Sequence, residues 1–129
     1  MPAIRASAED YLENILVISR ARGVVRSIDI ASEMGFSKPS VSVAMKKLRQ
    51  SGYIAVDEDG FITLTSKGRV AAEAVLDRHA TLHTWLRRIG VPDEIAATDA
   101  CRLEHILSAE TYAAIKRIAE ESSDGRGLG

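Results

Sequence analysis

The chain has 129 residues, of which 46% are hydrophobic and 5% aromatic, so it can form one domain or two small subdomains, and it is not disordered overall. The formal net charge of −1 means that the distribution of charge, not its total, must indicate any nucleic-acid partner. The N-terminal segment has acidic residues where a signal peptide would have its hydrophobic core, and no apolar run is long enough to span a bilayer. A single cysteine cannot form an internal disulfide. A cytoplasmic protein is therefore expected.

A first helix is predicted over about residues 7–22. Ser7 and Asp10 form a capping-box-like start, and apolar residues then recur at helical spacing until Gly23. Glycine is a common residue just past the end of a helix, so Gly23 is the expected end of the pattern.

The next segment has the pattern of a helix-turn-helix. Ser27 is expected to cap a helix over about residues 28–34, which Gly35 ends. Ser37 is expected to cap the following helix, with Pro39 in its first turn, where the missing N–H costs nothing. Two helices joined by a three- or four-residue turn that contains glycine are typical of this motif.

A β-hairpin is predicted directly after the second of these helices. The stretch "YIAVDEDGFITLT" alternates apolar and polar residues around Asp59-Gly60, a dipeptide that favours a tight turn. A hairpin in this place is the wing of a winged helix, so residues 1–65 are predicted to form a DNA-binding domain. The acidic tip, Asp57 to Asp59, is expected to contribute little to phosphate binding.

The second half is predicted to be all-helical. One long helix is expected from Ser66 to about Ile89, a second over about 93–107 and a third over about 109–121, with Ser108 before it. These helices carry more apolar surface than they can hide internally, so dimerisation is expected. The predicted fold class is therefore mainly α with a small β-wing: a winged helix-turn-helix, a helical dimerisation domain over residues 66–121 and a flexible tail over 122–129.

Positive charge is concentrated on the second helix of the helix-turn-helix. Residues 36–52 contain three lysines and one arginine and no acid. Lysine provides sequence-independent affinity for the DNA backbone, whereas serine and small apolar groups can read base edges. An ordinary solvated basic face is the alternative interpretation, but a helix-turn-helix followed by a wing favours double-stranded DNA. The candidate DNA-contacting residues are Ser37, Lys38, Ser40, Val43, Lys46 and Lys47.

Candidate metal ligands occur at helical spacing in three of the predicted helices. Each group alone has an ordinary explanation, such as first-turn acids, surface histidines or a small core thiol. Together they include all three histidines and the only cysteine of the chain. A mixed set of oxygen, nitrogen and sulfur donors suits late first-row divalent ions better than Mg²⁺ or Ca²⁺. The candidates are Asp10 and Glu13, His79 and His83, and Cys101, Glu104 and His105, the last three expected on one helix face.

These motifs carry a family resemblance. From about Ala8 to Ile118, the sequence resembles the diphtheria-toxin-repressor / manganese-transport-regulator family of metal-dependent repressors. The resemblance rests on "AEDYLENI", "IASEMGFSKPSVSVAMKKLRQSGYI", "LTSKG", "DRH" and "CRLEH". It implies a repressor of metal-uptake genes that binds a palindromic operator as a homodimer, with metal ligands in its helical dimerisation half and on the first helix.

The resemblance implies metal-ligand roles for individual residues, some matching the whole family and some only one of its branches. His79, Glu104 and His105 match ligands of the family, and Asp10 and Glu13 match ligands of its manganese-sensing branch. His83 stands where the iron-sensing branch often has a glutamate of an ancillary site, so it is a further candidate.

In the DNA-binding half, the resemblance concerns the start of the second helix of the helix-turn-helix. It implies that Ser37, Pro39 and Ser40 lie near the bases. Val43 replaces a polar residue that is common there, so a different operator preference is expected.

The ligand set mixes the two branches. Cys101 occupies a position that holds cysteine in the iron branch and glutamate in the manganese branch, and it favours Fe²⁺, or Zn²⁺, Co²⁺ or Ni²⁺ in vitro. Asp10 and Glu13 favour Mn²⁺ or a two-metal site. The prediction is a cofactor of Fe²⁺ or Mn²⁺, with a preference for Fe²⁺. Many iron-branch members also have a C-terminal SH3-like domain, which is not expected within these 129 residues, as in manganese regulators.

Two other functions are weighed against this one. A winged-helix regulator could sense an organic ligand, or act constitutively, with the Cys/His/Glu cluster purely structural. An enzyme could use Cys101 as nucleophile and His105 as base, but the sequence has no oxyanion-forming glycine loop and no HExxH motif. No enzymatic activity is therefore expected.

Overall fold

The computed structural model describes residues 2–123, with the side chains of residues 8–121. Within that part of the chain there are six helices and one two-stranded antiparallel sheet, which confirms the predicted fold class. Residues 122–123 of the predicted flexible tail belong to the last helix, and residues 124–129 lie outside the described residues. The elements are α1 (Pro2–Arg22), α2 (Ser27–Met34), α3 (Lys38–Gln50), β1 (Ile54–Val56), β2 (Ile62–Leu64), α4 (Ser66–Arg88), α5 (Asp93–Leu103) and α6 (Ala109–Ser123).

The chain divides into two compact units, an N-terminal unit of residues 3–74 and a C-terminal unit that begins at Val75. The division falls inside α4, whereas the sequence had placed a domain boundary after residue 65, just before that helix. None of the helices in the described part of the chain combines the length and the apolar character needed to cross a bilayer.

Helix α1 starts earlier than the sequence predicted. It begins at Pro2 rather than at Ser7, so the capping-box-like pattern at Ser7 lies inside the helix and the predicted start is wrong. Proline fits the first turn of a helix and alanine is the best helix former, so the segment "PAIRASA" extends the helix towards its N-terminus. The buried face of α1 consists of Tyr11, Leu12, Ile15, Leu16 and Ile18.

Helix α2 begins one residue before its predicted start. Ser27 is the first helical residue and not the cap, which is Arg26. The Arg26 backbone N–H donates to the Asp29 carboxylate at 2.9 Å, so an acid three residues into the helix satisfies the backbone where a serine cap was expected. The helix ends as predicted at Gly35, which has φ +70° and whose N–H donates to the Ala31 carbonyl at 2.9 Å.

Helix α3 has the cap that the sequence predicted. The Ser37 hydroxyl accepts the Ser40 backbone N–H at 3.3 Å, and Pro39 lies in the first turn. Val41, Met45 and Leu48 are buried, so the opposite side of the helix carries its polar and charged residues towards solvent. The helix-turn-helix prediction is confirmed at both its cap and its turn.

The wing is a short hairpin. Ile54 pairs with Leu64 and Val56 with Ile62, and the two isoleucines are buried. In the turn, the Asp57 carboxylate accepts the backbone N–H groups of Asp59 and Phe61, each at 2.9 Å. The hairpin that the alternating pattern predicted is thus confirmed, and its acidic tip is exposed.

In the first turn of α4, Gly68 lies so close to the backbone of Tyr53, just before the wing, that no side chain fits between them. A Cβ on Gly68 would overlap the backbone carbonyl of Tyr53. Thr65 tightens the same junction, because its hydroxyl donates to the Gly52 carbonyl at 2.6 Å and accepts the Gly68 N–H at 3.1 Å. This explains why glycine stands at the end of the "LTSKG" motif.

In the C-terminal unit, the remainder of α4 packs with α5 and α6 around a small aliphatic core. Its buried residues are Leu82, Leu86, Ala96 and Ala100, with Trp85, Val91, Leu103, Leu107 and Ile115 partly buried around them. The Ser108 hydroxyl accepts the Thr111 N–H at 3.1 Å and so caps α6.

Helix α5 ends before its predicted limit. Its last residue is Leu103 and not residue 107. The N–H groups of His105 and Ile106 donate to the carbonyls of Arg102 and Leu103, three residues back, at 3.3 and 3.1 Å. This tighter pattern closes the helix in a turn, and that turn carries two of the candidate metal ligands.

Candidate metal centre and DNA-contacting helix

A buried carboxylate lies at the end of α5. Glu104 is 1% exposed and is the one buried charged side chain within the described residues. Its N–H still donates to the Ala100 carbonyl at 3.0 Å, so the last α-helical hydrogen bond fixes where the side chain starts. A carboxylate is expensive to bury without compensating charge or hydrogen bonds, and its position is therefore informative.

The partner of this carboxylate is a histidine on α4. His79 Nδ1 lies 2.9 Å from Glu104 Oε1. Burial, and then the charge of neighbouring His83, lower the pKa of His79 below its usual value. The imidazole is therefore neutral near pH 7, which is the form in which histidine binds a metal.

The other two candidate ligands at this end of α5 form a separate pair. Cys101 is exposed on the last turn of the helix, and His105 is half-buried just beyond it. The Cys101 Sγ and a ring nitrogen of His105 lie within 4.8 Å of each other. Because α5 ends at Leu103, Glu104 and His105 lie in the turn after the helix and not, as the sequence had predicted, on the helix itself. The Glu104 carboxylate bonds His79, while Cys101 and His105 remain close to each other.

His83 has a different neighbour from the other candidate ligands. Its Nε2 lies 3.0 Å from Asp93 Oδ1, and the same oxygen accepts a second contact from Arg87 Nε at 3.4 Å. The ring of His83 stacks on that of His79, with centroids 6.1 Å apart. Among the described residues, His83 is not part of a group of metal-ligating atoms, unlike His79, Cys101, Glu104 and His105.

An arginine that the sequence reasoning missed also contacts the Glu104 turn. Arg78 Nη1 donates to the Glu104 carbonyl oxygen at 3.1 Å. Arg78 is the middle residue of the "DRH" stretch, but only the histidine there is a candidate ligand, because a guanidinium has no free lone pair for a metal ion.

The two acidic candidates of the N-terminal unit lie on α1. Asp10 and Glu13 are both half-buried and are separated by three residues, so they share one side of the helix. The Asn14 side chain donates to the Asp10 carbonyl at 2.9 Å and braces the backbone there.

The donors of the C-terminal unit fit a divalent transition-metal ion. One carboxylate, two imidazoles other than His83 and one thiol come from α4 and the end of α5. Neutral imidazole and a buried carboxylate are ligands for iron, manganese and zinc, and the thiol adds a soft donor. Mg²⁺ and Ca²⁺ prefer all-oxygen sets, so this set does not fit them.

The candidate DNA-contacting residues lie on α3 or at its cap. All of them are exposed, including Val43 at 55%. The N-terminus of α3 and the exposed lysines on this helix both suit the phosphates of a nucleic-acid backbone. The residues are Ser37, Lys38, Pro39, Ser40, Val43, Lys46 and Lys47.

Two family models match the chain, and together they cover most of it. Residues 4–60 match "Iron dependent repressor, N-terminal DNA binding domain". Residues 65–123 match "Iron dependent repressor, metal binding and dimerisation domain".

Curated relatives are similar over nearly the whole chain. An uncharacterised HTH-type transcriptional regulator of Methanocaldococcus jannaschii is 34% identical over 120 residues, which is 92% of this chain and 96% of that protein. The HTH-type transcriptional regulator MntR of Lysinibacillus sphaericus is 32% identical over 121 residues, which is 92% of this chain and 87% of that one.

Solved structures give the same picture of the fold. A manganese-dependent transcriptional repressor in complex with manganese is 30% identical, with a TM-score of 0.80 over 88% of this chain and 52% of that one. IdeR of T. acidophilum is 27% identical, with a TM-score of 0.76 over 90% of this chain and 53% of that one. The chain therefore spans about half the length of these two structures.

Proposed function

This chain belongs to the iron-dependent repressor family, and from that premise we propose that it is a metal-dependent, DNA-binding repressor of metal-homeostasis genes. The structural observation that carries the proposal is the buried Glu104 carboxylate bonded to His79. The family consists of transcriptional repressors, and we assign this chain no enzymatic activity. Its place of action is the cytoplasm, where a repressor meets its genes. Residues 1–65 form the DNA-binding domain and residues 66–121 the domain for metal binding and dimerisation.

The cofactor is a divalent ion, Fe²⁺ or Mn²⁺. The ion would have four ligands in the C-terminal unit and two carboxylate ligands on α1, and His83 is a further candidate ligand. The Cys101 thiol favours Fe²⁺, because a soft donor discriminates against Mn²⁺. The proposed ligands are Asp10, Glu13, His79, Cys101, Glu104 and His105.

Metal binding and DNA binding are coupled through the division of these ligands between the two units. Without an ion, any arrangement that brought the carboxylates of Asp10, Glu13 and Glu104 together would be opposed by their mutual repulsion. When bound, the ion supplies positive charge that offsets this repulsion. Metal therefore favours the arrangement of the two units in which all the ligands meet, because that arrangement binds the ion more tightly. If the same arrangement also fits the operator, metal binding strengthens DNA binding.

The active form is a homodimer on a palindromic operator. Four isoleucines of the C-terminal unit are at least half exposed, which is the apolar surface that a second copy would cover. Two winged-helix units related by a two-fold axis would place their α3 helices about 34–36 Å apart, one turn of DNA. The isoleucines are Ile89, Ile95, Ile106 and Ile118.

Binding of DNA with and without metal tests the proposed function directly. The full chain is incubated anaerobically with a library of random-sequence duplexes, in Fe²⁺, in Mn²⁺ or in chelator, and the bound duplexes are sequenced. Palindromic sequences should be enriched with either metal and lost with chelator. Equal enrichment in chelator would contradict a metal switch and would favour a constitutive or organic-ligand regulator.

The basic surface of α3 makes a quantitative prediction. Replacing both Lys46 and Lys47 by alanine should weaken binding to all duplexes and lower the slope of log affinity against log salt by about 3.6, since the dimer loses four phosphate contacts and each removes about 0.9. Fluorescence anisotropy over a salt series measures the slope. The paired variant Arg69→Ala, Arg117→Ala removes the same charge outside α3 and should leave the slope unchanged. Equal slopes in the two double variants would place the DNA elsewhere.

A further inference from the structure

Helix α4 contacts Glu104 at two points. His79 bonds its carboxylate at 2.9 Å, and the preceding residue, Arg78, donates to its backbone carbonyl at 3.1 Å. One contact fixes the side chain and the other fixes the main chain from which the side chain departs. Two neighbouring residues of a single helix therefore determine where this carboxylate points.

The Arg78 guanidinium is itself held in place. Its Cζ lies 5.2 Å from the centre of the Tyr112 ring on α6, a cation–π geometry. The Tyr112 hydroxyl donates to Asp77 at 2.6 Å and lies 3.2 Å from the hydroxyl of Thr81, so two α4 residues fix the ring.

A charged group completes this network. Lys116 Nζ donates to the Asp77 carboxylate at 2.8 Å. The Asp77 carboxylate thus accepts hydrogen bonds from both Tyr112 and Lys116, which ties α4 to α6. The path from Lys116 to Arg78 thus joins α4, α6 and the turn after α5 within the C-terminal unit.

We propose that Arg78, braced by Tyr112, is a positioning residue for the metal centre: it holds the turn after α5, so that Glu104 and the adjacent His105 stay in the positions from which they bind metal. This inference rests on the proposed function, because it assumes that Glu104 and His105 bind the ion. Arg78 needs no contact with the ion for this role. Groups that orient metal ligands in this way typically change metal affinity about 10- to 100-fold when they are removed.

The chain offers a matched control for Arg78. Arg88 lies on the same helix, and its Nη1 donates to the Ala119 carbonyl of α6 at 3.0 Å. It is the same kind of bond, from an α4 arginine to a backbone carbonyl in the same unit, but it does not touch the Glu104 turn. Arg88→Gln therefore reports the cost of such a bond to the fold alone.

The test compares full-length wild type, Arg78→Gln, Arg78→Lys and Arg88→Gln. Anaerobic titration gives the Fe²⁺ and Mn²⁺ affinities, the visible absorption spectrum of bound Co²⁺ reports ligand geometry, and thermal unfolding without metal reports the fold. Arg78→Gln should bind at least about tenfold more weakly and shift the Co²⁺ bands, while Arg88→Gln keeps both properties. Arg78→Lys should lie between them, because an ammonium group can still donate to the carbonyl but cannot stack as a planar group.

Each other outcome has a definite meaning. If Arg78→Gln and Arg88→Gln change affinity and spectrum equally, or not at all, Arg78 has no positioning role. If Arg78→Gln does not fold, Arg78→Lys decides: a shifted spectrum supports the role and a wild-type one overturns it. A wild-type protein that binds no Fe²⁺, Mn²⁺ or Co²⁺ would overturn the proposed function itself, and this inference with it.

Discussion

Replacing Glu104 by glutamine will abolish the metal response of DNA binding while leaving the protein folded. Glutamine has nearly the same shape, so the packing around this 1%-exposed side chain is kept. It carries no charge, however, and an amide is a much weaker ligand for a divalent transition ion than a carboxylate. The loss of metal affinity should exceed the roughly 10- to 100-fold that follows when a group that merely orients a ligand is removed.

Anaerobic titration of metal binding and anisotropy of operator binding measure the two parts of this result. Glu94→Gln is the matched control, since Glu94 is an exposed acid in the first turn of the same helix, α5. It should behave as the wild type in both assays. A Glu104→Gln protein that keeps wild-type affinity for Fe²⁺ and Mn²⁺ would remove Glu104 from the proposed ligand set.

Leu82→Ala should produce the largest loss of stability, about 2–5 kcal/mol in the free energy of unfolding. Leu82 is fully buried on α4, at the centre of the core that Leu86, Ala96 and Ala100 complete. The neighbours of Leu82 include two alanines, and small side chains leave little scope for filling the cavity. Because Leu82 lies one turn after His79, the same change should loosen the packing of α4 against the end of α5.

Urea unfolding followed by circular dichroism measures this effect, in chelator so that metal binding does not contribute. Val70→Ala on the same helix is the control, because Val70 is 70% exposed. That variant should stay within about 0.5 kcal/mol of the wild type. A comparable loss in both variants would mean that Leu82 is not in the core.

Local signals explain where the sequence predicted the fold well. The cap of α3 depends on Ser37 and Pro39, two neighbouring residues whose preferences act over a single turn. The wing depends on alternation and on Asp59-Gly60, and these too are short-range. Both were predicted correctly because no distant contact competes with them.

The errors occur where several signals compete. Ser7 resembles a cap, but the alanines before it favour a helix just as strongly, so α1 begins at Pro2. Apolar periodicity continues past Leu103, but it cannot show that the backbone tightens there. The tighter hydrogen bonds begin at the His105 N–H, whereas the Glu104 N–H still bonds to the Ala100 carbonyl four residues back.

The candidate site could be predicted only as a list of donors. The sequence identifies His79, Cys101, Glu104 and His105 as metal-ligating residue types at helical spacing, but spacing does not show which of them is buried. The bond between His79 and Glu104 joins residues 25 positions apart, and the role of Arg78 depends on a carbonyl that every residue has. Such contacts depend on how α4 packs against the end of α5, and the spacing of residues along a single helix does not predict them.

Because Cys101 is exposed, the natural protein can be labelled directly at this residue. It is the single thiol of the chain, so a maleimide fluorophore or a nitroxide spin label would attach at one defined position without any engineered cysteine. A maleimide would also convert the Cys101 thiol into a thioether, which cannot ionise to the thiolate that binds metal ions strongly. A labelled preparation therefore lacks the thiolate ligand, and it is obtained by chemistry rather than by mutagenesis.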